Sequence, residues 1–298
     1  MGQRGFPAVS VVALGTFDGV HLGHQKVLAK AVARARKLKV PAIAVTFSPH
    51  PQEVVCPERG LRLLTTLAER KGLFDQVGID RTVVIKFDRK LQNLTAEQFV
   101  KKYLVGRLKA TEVFVGYDYA FGAKRSGEIA HLKKLGEKFG FKIVVVPPVK
   151  LGGHPVKSSV IRELVSSGKF NQAVRLLGHP YLVTGKVGRG RGIGRGLGFP
   201  TANLRVAKDK LIPAHGVYAG YVKGKKCAIN IGDKPTFGLN NLPEVEVHIL
   251  NFKGNLRGKL LQVALFKRLR DEKQFSDVEK LKSQIRRDIN KIALAHFL

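Results

Sequence analysis

The chain has 298 residues, 44% hydrophobic and 25% charged, enough to bury a core in two domains of roughly 100–200 residues each. It carries 53 Lys and Arg against 22 Asp and Glu, a formal net charge of +31 shared as +14 over residues 1–150 and +17 over residues 151–298; so even an excess attracts anions generally, nucleic acid and nucleoside triphosphates included, and argues against a basic tail. Only two cysteines, Cys56 and Cys227, stand far apart with no CxxC, which excludes a disulfide scaffold and a cysteine zinc site and fits reduced thiols in a cytoplasmic protein.

From the N-terminus, residues 8–14 form one short apolar run that enters a glycine-rich turn. It is too short to span a membrane and reads as a buried strand, not a signal peptide; Met1-Gly2 lacks the hydroxyl residue of a myristoylation signal. Residues 25–37 place Val27, Leu28, Ala31, Val32 and Ala35 at helical spacing. Residues 41–47 and 81–87 read as strands, 96–104 as a helix, and 113–116 and 143–146 as further short buried strands. This alternation predicts an α/β domain of Rossmann-like type with a parallel sheet, whose ligands sit beyond the carboxyl ends of the strands.

The pattern changes near Leu177-Gly178-His179-Pro180. Residues 181–187, 216–222, 227–231, 245–252 and 260–266 read as closely spaced strands, and a long amphipathic helix returns only at 276–292. That predicts a small closed β-barrel with a C-terminal helix. The domains are placed at 1–178 and 179–298.

The first chemical signal is Gly15-Thr16-Phe17-Asp18-Gly19-Val20-His21-Leu22-Gly23-His24. A strand ends in small residues and a helix begins near His21, so free backbone N–H groups and the helix dipole suit a phosphate. His21 and His24, three apart, share a helix face and can donate to charge that develops on a phosphate. Blander readings exist: Asp18 as an N-terminal cap, or the two histidines as part of a metal site, though no third ligand is evident. This loop resembles that of the nucleotidyltransferase superfamily marked by His-x-Gly-His. Lys157-Ser158-Ser159-Val160-Ile161-Arg162 resembles its downstream phosphate-gripping motif; alone, Ser159 reads as a helix cap.

The second signal is Gly194-Arg195-Gly196-Leu197-Gly198-Phe199-Pro200-Thr201-Ala202-Asn203-Leu204. It lacks the Gly-Lys-Ser/Thr ending of a Walker loop. It reads as an ordered nucleotide loop in which Thr201 and Asn203 point to one side and offer hard oxygen ligands for Mg²⁺. The preceding Gly188-Arg189-Gly190-Arg191-Gly192 resembles an RGG nucleic-acid segment if read alone.

That stretch, with His215-Gly216-Val217-Tyr218-Ala219, Asn230-Ile231-Gly232, Pro235-Thr236-Phe237, Val245-Glu246-Val247-His248-Ile249-Leu250 and Leu269-Arg270-Asp271-Glu272 in order, resembles the riboflavin kinase domain. With Phe47-Ser48-Pro49-His50-Pro51, Gly116-Tyr117-Asp118-Tyr119-Ala120-Phe121-Gly122 and Arg125-Ser126-Gly127 in the first half, nearly the whole chain resembles the bacterial bifunctional riboflavin kinase/FAD synthetase family.

The resemblance implies that riboflavin is phosphorylated by ATP to FMN, and FMN adenylylated by a second ATP to FAD. It implies Glu246 as general base, Thr201 and Asn203 as Mg²⁺ ligands, and Gly198, Phe199 and Pro200 at the kinase ATP. In the first half it implies Gly15, Thr16, Phe17, Asp18, His21, Gly23, His24, Ser158, Ser159 and Arg162 at the second ATP, with Asp118 near the reacting phosphates. Phe47, Pro49, His50, Pro51, Phe121 and Arg270 are its flavin candidates, although Phe47, Pro49, Pro51 and Phe121 read equally well as core. Glu246 also reads as an ordinary outward strand residue, since Glu244, Glu246 and His248 alternate with Val245, Val247 and Ile249. Val160 and Ala120 stand where many members carry arginine. The partners expected are the small-molecule substrates and at most a weak homo-oligomer. The rival readings are a chain with kinase activity alone, and a basic nucleic-acid-binding protein on the same scaffold.

Overall fold

The protein is described here by a computed structural model over residues 9–119, 129–190, 192–232 and 243–295, with positions 193 and 195 described for backbone only. The chain forms two compact units, Met1–Leu61 with Leu67–Lys157, and Arg62–Thr66 with Ser158–Leu298.

The first unit runs β1 (Ser10–Leu14), α1 (Leu22–Leu38), β2 (Ala42–Ser48), α2 (Pro51–Val55), α3 (Leu67–Val77), β3 (Arg81–Lys86), α4 (Arg89–Gln92), α5 (Ala96–Phe99), a π-helical stretch (Val100–Arg107), β4 (Ala110–Gly116), α6 (Ile129–Phe139), β5 (Lys142–Val146) and a small hairpin of β6 (Lys150–Leu151) and β7 (His154–Pro155). Its five long strands are parallel in the order β3-β2-β1-β4-β5. All five residues of β1 are buried, as expected of a central strand covered on both faces. The chain winds outward from β1 through β2 to β3, then returns to lay β4 on the other side of β1. The crevice where direction reverses therefore opens beyond Leu14 and Gly116, where ligands of open parallel sheets bind.

Two features depart from the sequence pattern. The helix expected at 96–104 is α-helical only to Phe99 and then π-helical, with Val100 and Leu104 still buried. Helix α3 was not apparent in the sequence because two of its buried residues, Glu69 and Arg70, are charged and break the apolar stripe that Leu73 and Phe74 would otherwise mark.

The second unit runs α7 (Ser158–Ser166), α8 (Phe170–Leu177), β8 (Tyr181–Gly188), α9 (Ile193–Gly196), β9 (Ala202–Val206), β10 (Gly216–Val222), β11 (Lys225–Gly232), β12 (Glu244–Ile249), β13 (Leu260–Arg270) and α10 (Val278–Leu294). The six strands close into an antiparallel barrel in the order β10-β11-β12-β9-β8-β13, so pairing is completed around the ring. The change of pattern near 178 coincides with the start of β8, while this unit also takes in α7 and α8. Phe170 of α8 packs edge-on against Tyr218 and Tyr181, with ring centroids 4.9 and 6.0 Å apart. Strand β9 lies inside the motif read as a loop. Helix α10 is capped by Asp277, which accepts from Lys280 N–H at 2.8 Å, and it turns Ile292 and Asp288 inward.

Candidate active sites

In the first unit the loop after β1 is built on a buried polar network. Thr46 of β2 donates to the Thr16 carbonyl at 2.8 Å and accepts from Arg70 at 3.0 Å. The same guanidinium lies 3.6 Å from Asp18, with both side chains at most 3% exposed. A carboxylate this buried needs such a partner. Asp18 is thus anchored within the loop and is not the helix cap that its position allows. The cap is His21: its Nδ1 accepts from Gly23 N–H at 3.2 Å and His24 N–H at 3.4 Å.

This cap has a chemical consequence. A backbone N–H can only donate, so Nδ1 is the acceptor, and a neutral His21 ring carries its proton on Nε2. The ring folds back over the helix start because position 23 is glycine; a Cβ there would stand 3.1 Å from His21 Cε1. His24 stacks on His21 with centroids 3.6 Å apart and planes 19° apart. Phe17 sits at φ 52° and Val20 at φ 40°, left-handed values that side-chain-bearing residues avoid. The buried Phe17 ring holds its conformation, edge-on to His24 at 5.4 Å and Phe74 at 5.6 Å. Across the crevice, β4 ends in Gly116 and leads to Tyr117 and the exposed Asp118. Burial, and secondarily the Asp118 charge, hold the Tyr117 hydroxyl above its usual pKa.

The remaining candidates of this half are dispersed. Phe47 lies in the core, edge-on to Phe87 at 5.9 Å. His50 caps α2 through Nδ1, accepting from Gln52 N–H at 3.2 Å, while Glu53 accepts from the His50 N–H at 2.7 Å; Pro51 is the first residue of that helix. Ala120, Phe121, Gly122, Arg125, Ser126 and Gly127 lie outside the described residues. Ser158 and Ser159 open α7 in the second unit, so Ser159 is inside the first turn and not a cap; Arg162 donates from Nε to the Arg62 carbonyl at 3.0 Å.

In the second unit the register assembles the site. Glu246 of β12 faces Asn203 of β9 on one side and Asn230 of β11 on the other. Val245, Val247 and Ile249 are buried in the barrel, which turns Glu244, Glu246 and His248 to its outer face. With its amide oriented to satisfy its neighbours, Asn203 donates to Glu244 at 2.7 Å and Glu246 at 3.2 Å. The amide oxygen then faces Gly190, where any Cβ would collide with the Asn203 side chain. Only a glycine lets the 188–198 segment lie so close. Thr201 stands immediately before β9. Among the described residues no cluster of three His, Cys, Asp or Glu could hold a metal alone. Pro235, Thr236 and Phe237 lie outside the described residues. Arg270 is engaged by Asp288 of α10, at 2.9 Å from Nε and 2.8 Å from Nη2.

Arg70 is the contributor that sequence reading missed. Nothing in its neighbourhood links it to a loop fifty residues earlier.

A parallel sheet with a histidine-capped loop at its switch point, and a barrel with a carboxylate under a glycine-rich loop, define a two-part nucleotide-using transferase. A family model described as FAD synthetase matches residues 4–160, and one described as riboflavin kinase matches residues 177–295. The bifunctional riboflavin kinase/FMN adenylyltransferase of Escherichia coli K12 is 34% identical over 288 residues, 93% of this chain and 90% of that one. The Pseudomonas fluorescens enzyme of the same description is 36% identical over 94% and 90%. A Streptococcus pneumoniae crystal structure titled macrolide-efflux protein aligns with a TM-score of 0.86 at 29% identity, covering 99% of this chain and 96% of that one. No helix among the described residues here is long and apolar enough to cross a membrane. The chain belongs to the bifunctional riboflavin kinase/FMN adenylyltransferase family.

Proposed function

We propose that the chain makes FAD from riboflavin in two ATP-dependent steps, each carried by the residues assigned above, in the cytoplasm. In the first step the ribityl 5′-hydroxyl attacks the γ-phosphorus of ATP, its proton passes to Glu246, and ADP leaves. The observation that carries this assignment is the Asn203 bridge, which ties Glu244 and Glu246 to the residue packed against Gly190, with motif position selecting Glu246. Thr201 and Asn203 would hold Mg²⁺, whose charge would offset that of the phosphates. Gly198, Phe199 and Pro200 contribute the adjoining wall for ATP.

In the second step a phosphate oxygen of FMN attacks the α-phosphorus of another ATP and pyrophosphate leaves. FMN is itself the nucleophile, so no enzyme base or covalent intermediate is required, and catalysis is positioning and charge stabilisation. His21, through Nε2–H, and His24 serve the triphosphate, with Gly15 to Asp18 shaping the loop and Asp118 near the reacting groups. Ser158, Ser159 and Arg162 are assigned to the same nucleotide by their motif, and Pro49 and Pro51 to the flavin.

Incubation of the protein with riboflavin, ATP and Mg²⁺, followed by chromatographic separation of flavins, tests the reading. FMN should appear first and FAD follow. FMN that accumulates without FAD would leave a kinase alone, and unconverted riboflavin would overturn the kinase assignment.

A further inference from the structure

We propose that His248 is a positioning residue of the kinase site: it pins the turn that carries Thr201 to the barrel face beside Glu246. The proposal rests on the reading of this site as the kinase centre.

His248 shares the outer face of β12 with Glu246, two residues away. Its Nδ1 lies 2.9 Å from the Pro200 carbonyl oxygen. A carbonyl can only accept, so Nδ1 carries the proton and donates. Its ring also meets Phe199 edge-on, with centroids 5.9 Å apart and planes at 85°. One side chain thereby holds two successive residues, immediately before Thr201.

The grip extends into the loop. Phe199 N–H donates to the Gly194 carbonyl at 2.7 Å, which closes α9 onto the same turn. The Pro200 carbonyl belongs to the peptide whose N–H is Thr201's, so fixing that oxygen fixes the plane from which the Thr201 side chain departs. Strand pairing orders Asn203 against Glu246, but the β9–β12 ladder ends at Ala202 opposite Val247. Thr201 lies just outside it and needs another restraint; the His248 bond supplies one. Glu246 itself is held by the barrel, so loss of His248 should loosen the nucleotide side and leave the base in place.

The test compares three proteins. His248→Ala removes donor and ring. His248→Asn keeps an N–H donor near the position of Nδ1. In riboflavin phosphorylation, His248→Ala should raise KM for ATP about five-fold, the order expected for one lost hydrogen bond. KM for riboflavin and kcat should change less than two-fold. His248→Asn should recover most of the ATP KM. An independent readout is limited trypsin digestion without ligand: cleavage after Arg189 should quicken several-fold in His248→Ala and not in His248→Asn. FAD formation from supplied FMN is the internal control and should be unchanged in both.

An unaltered ATP KM with unaltered cleavage in His248→Ala would overturn the proposal. So would an equal loss in His248→Asn, or a fall confined to kcat. If His248→Ala is not recovered folded, His248→Leu, which keeps side-chain volume without the donor, carries the same expectations. A wild-type protein that makes no FMN would instead overturn the underlying site assignment.

Discussion

The two units hold their reactive groups by opposite means. In the first, the loop after β1 is fixed from below by buried charge: Arg70 reaches Asp18 and Thr46, and Thr46 reaches the Thr16 carbonyl. In the second, Glu246 and Asn203 are placed by antiparallel register on a barrel's outer face, and the covering loop comes close because Gly190 has no side chain. The chemistry matches the difference. Joining FMN to AMP needs positioned donors and no base, the role proposed for the capped and stacked histidine pair. Phosphorylating a hydroxyl needs a base held at a set point, which a strand register supplies.

The sharpest way to break this comparison is to remove the base alone. Glu246→Gln should lower FMN formation from riboflavin by about 10²–10⁴-fold while FAD formation from supplied FMN stays near wild type, read by flavin chromatography. His24→Ala should do the reverse, with FAD formation falling about 10²-fold and phosphorylation intact. If either variant loses both activities while remaining folded, the division of labour is wrong.

The buried network gives the next largest effect. Arg70→Met removes the buried ion pair to Asp18, and should cost about 3 kcal/mol of stability in denaturant unfolding. A change below about 0.5 kcal/mol would mean that the loop is not held from beneath. Smaller still is the thiol contrast. Burial pushes the Cys227 thiol pKa up to about 12, and Cys56 is half-buried. A thiol reagent at pH 8 should label one cysteine per native chain, Cys56, and both after unfolding.

The smallest effect concerns acid. Hydrogen bonds from Lys138 first and Lys101 second hold the Glu97 carboxyl below its ordinary pKa. A carboxylate with a depressed folded-state pKa contributes stability that is present above its unfolded pKa and lost as pH falls through the folded value. Glu97→Gln should therefore narrow the gap in Tm between pH 7 and pH 3 slightly, because the variant has nothing to lose on acidification. A wider gap would contradict the assignment.

Sequence alone disclosed the sheet strands and α1, because buried parallel strands read as apolar runs and α1 repeats apolar residues at helical spacing. It also disclosed the fold class and both chemical motifs. It hid α3, whose buried charges break the pattern a core helix would show. It hid β9, which lies inside the proposed loop motif: Asn203 occupies a ladder position and donates to two carboxylates at once. The start of α1 near His21 was legible but its cap was not, since the usual expectation of Asp, Ser, Thr or Asn points to Asp18, while the His21 imidazole is the acceptor. Contacts set by folding over long separations, such as Arg70 with Asp18 and Arg270 with Asp288, leave no local trace.

The central claim is that the two steps use separate residues, Glu246 for phosphorylation and His21 and His24 for adenylylation, with FMN as the shared intermediate. The most direct measurement mixes Glu246→Gln with His24→Ala, supplies riboflavin, ATP and Mg²⁺, and follows FAD by chromatography. FAD should accumulate in the mixture at a rate far above that of either protein alone, as the second variant makes FMN and the first converts it. No gain in FAD, with each variant still active on the step it retains, would contradict the account.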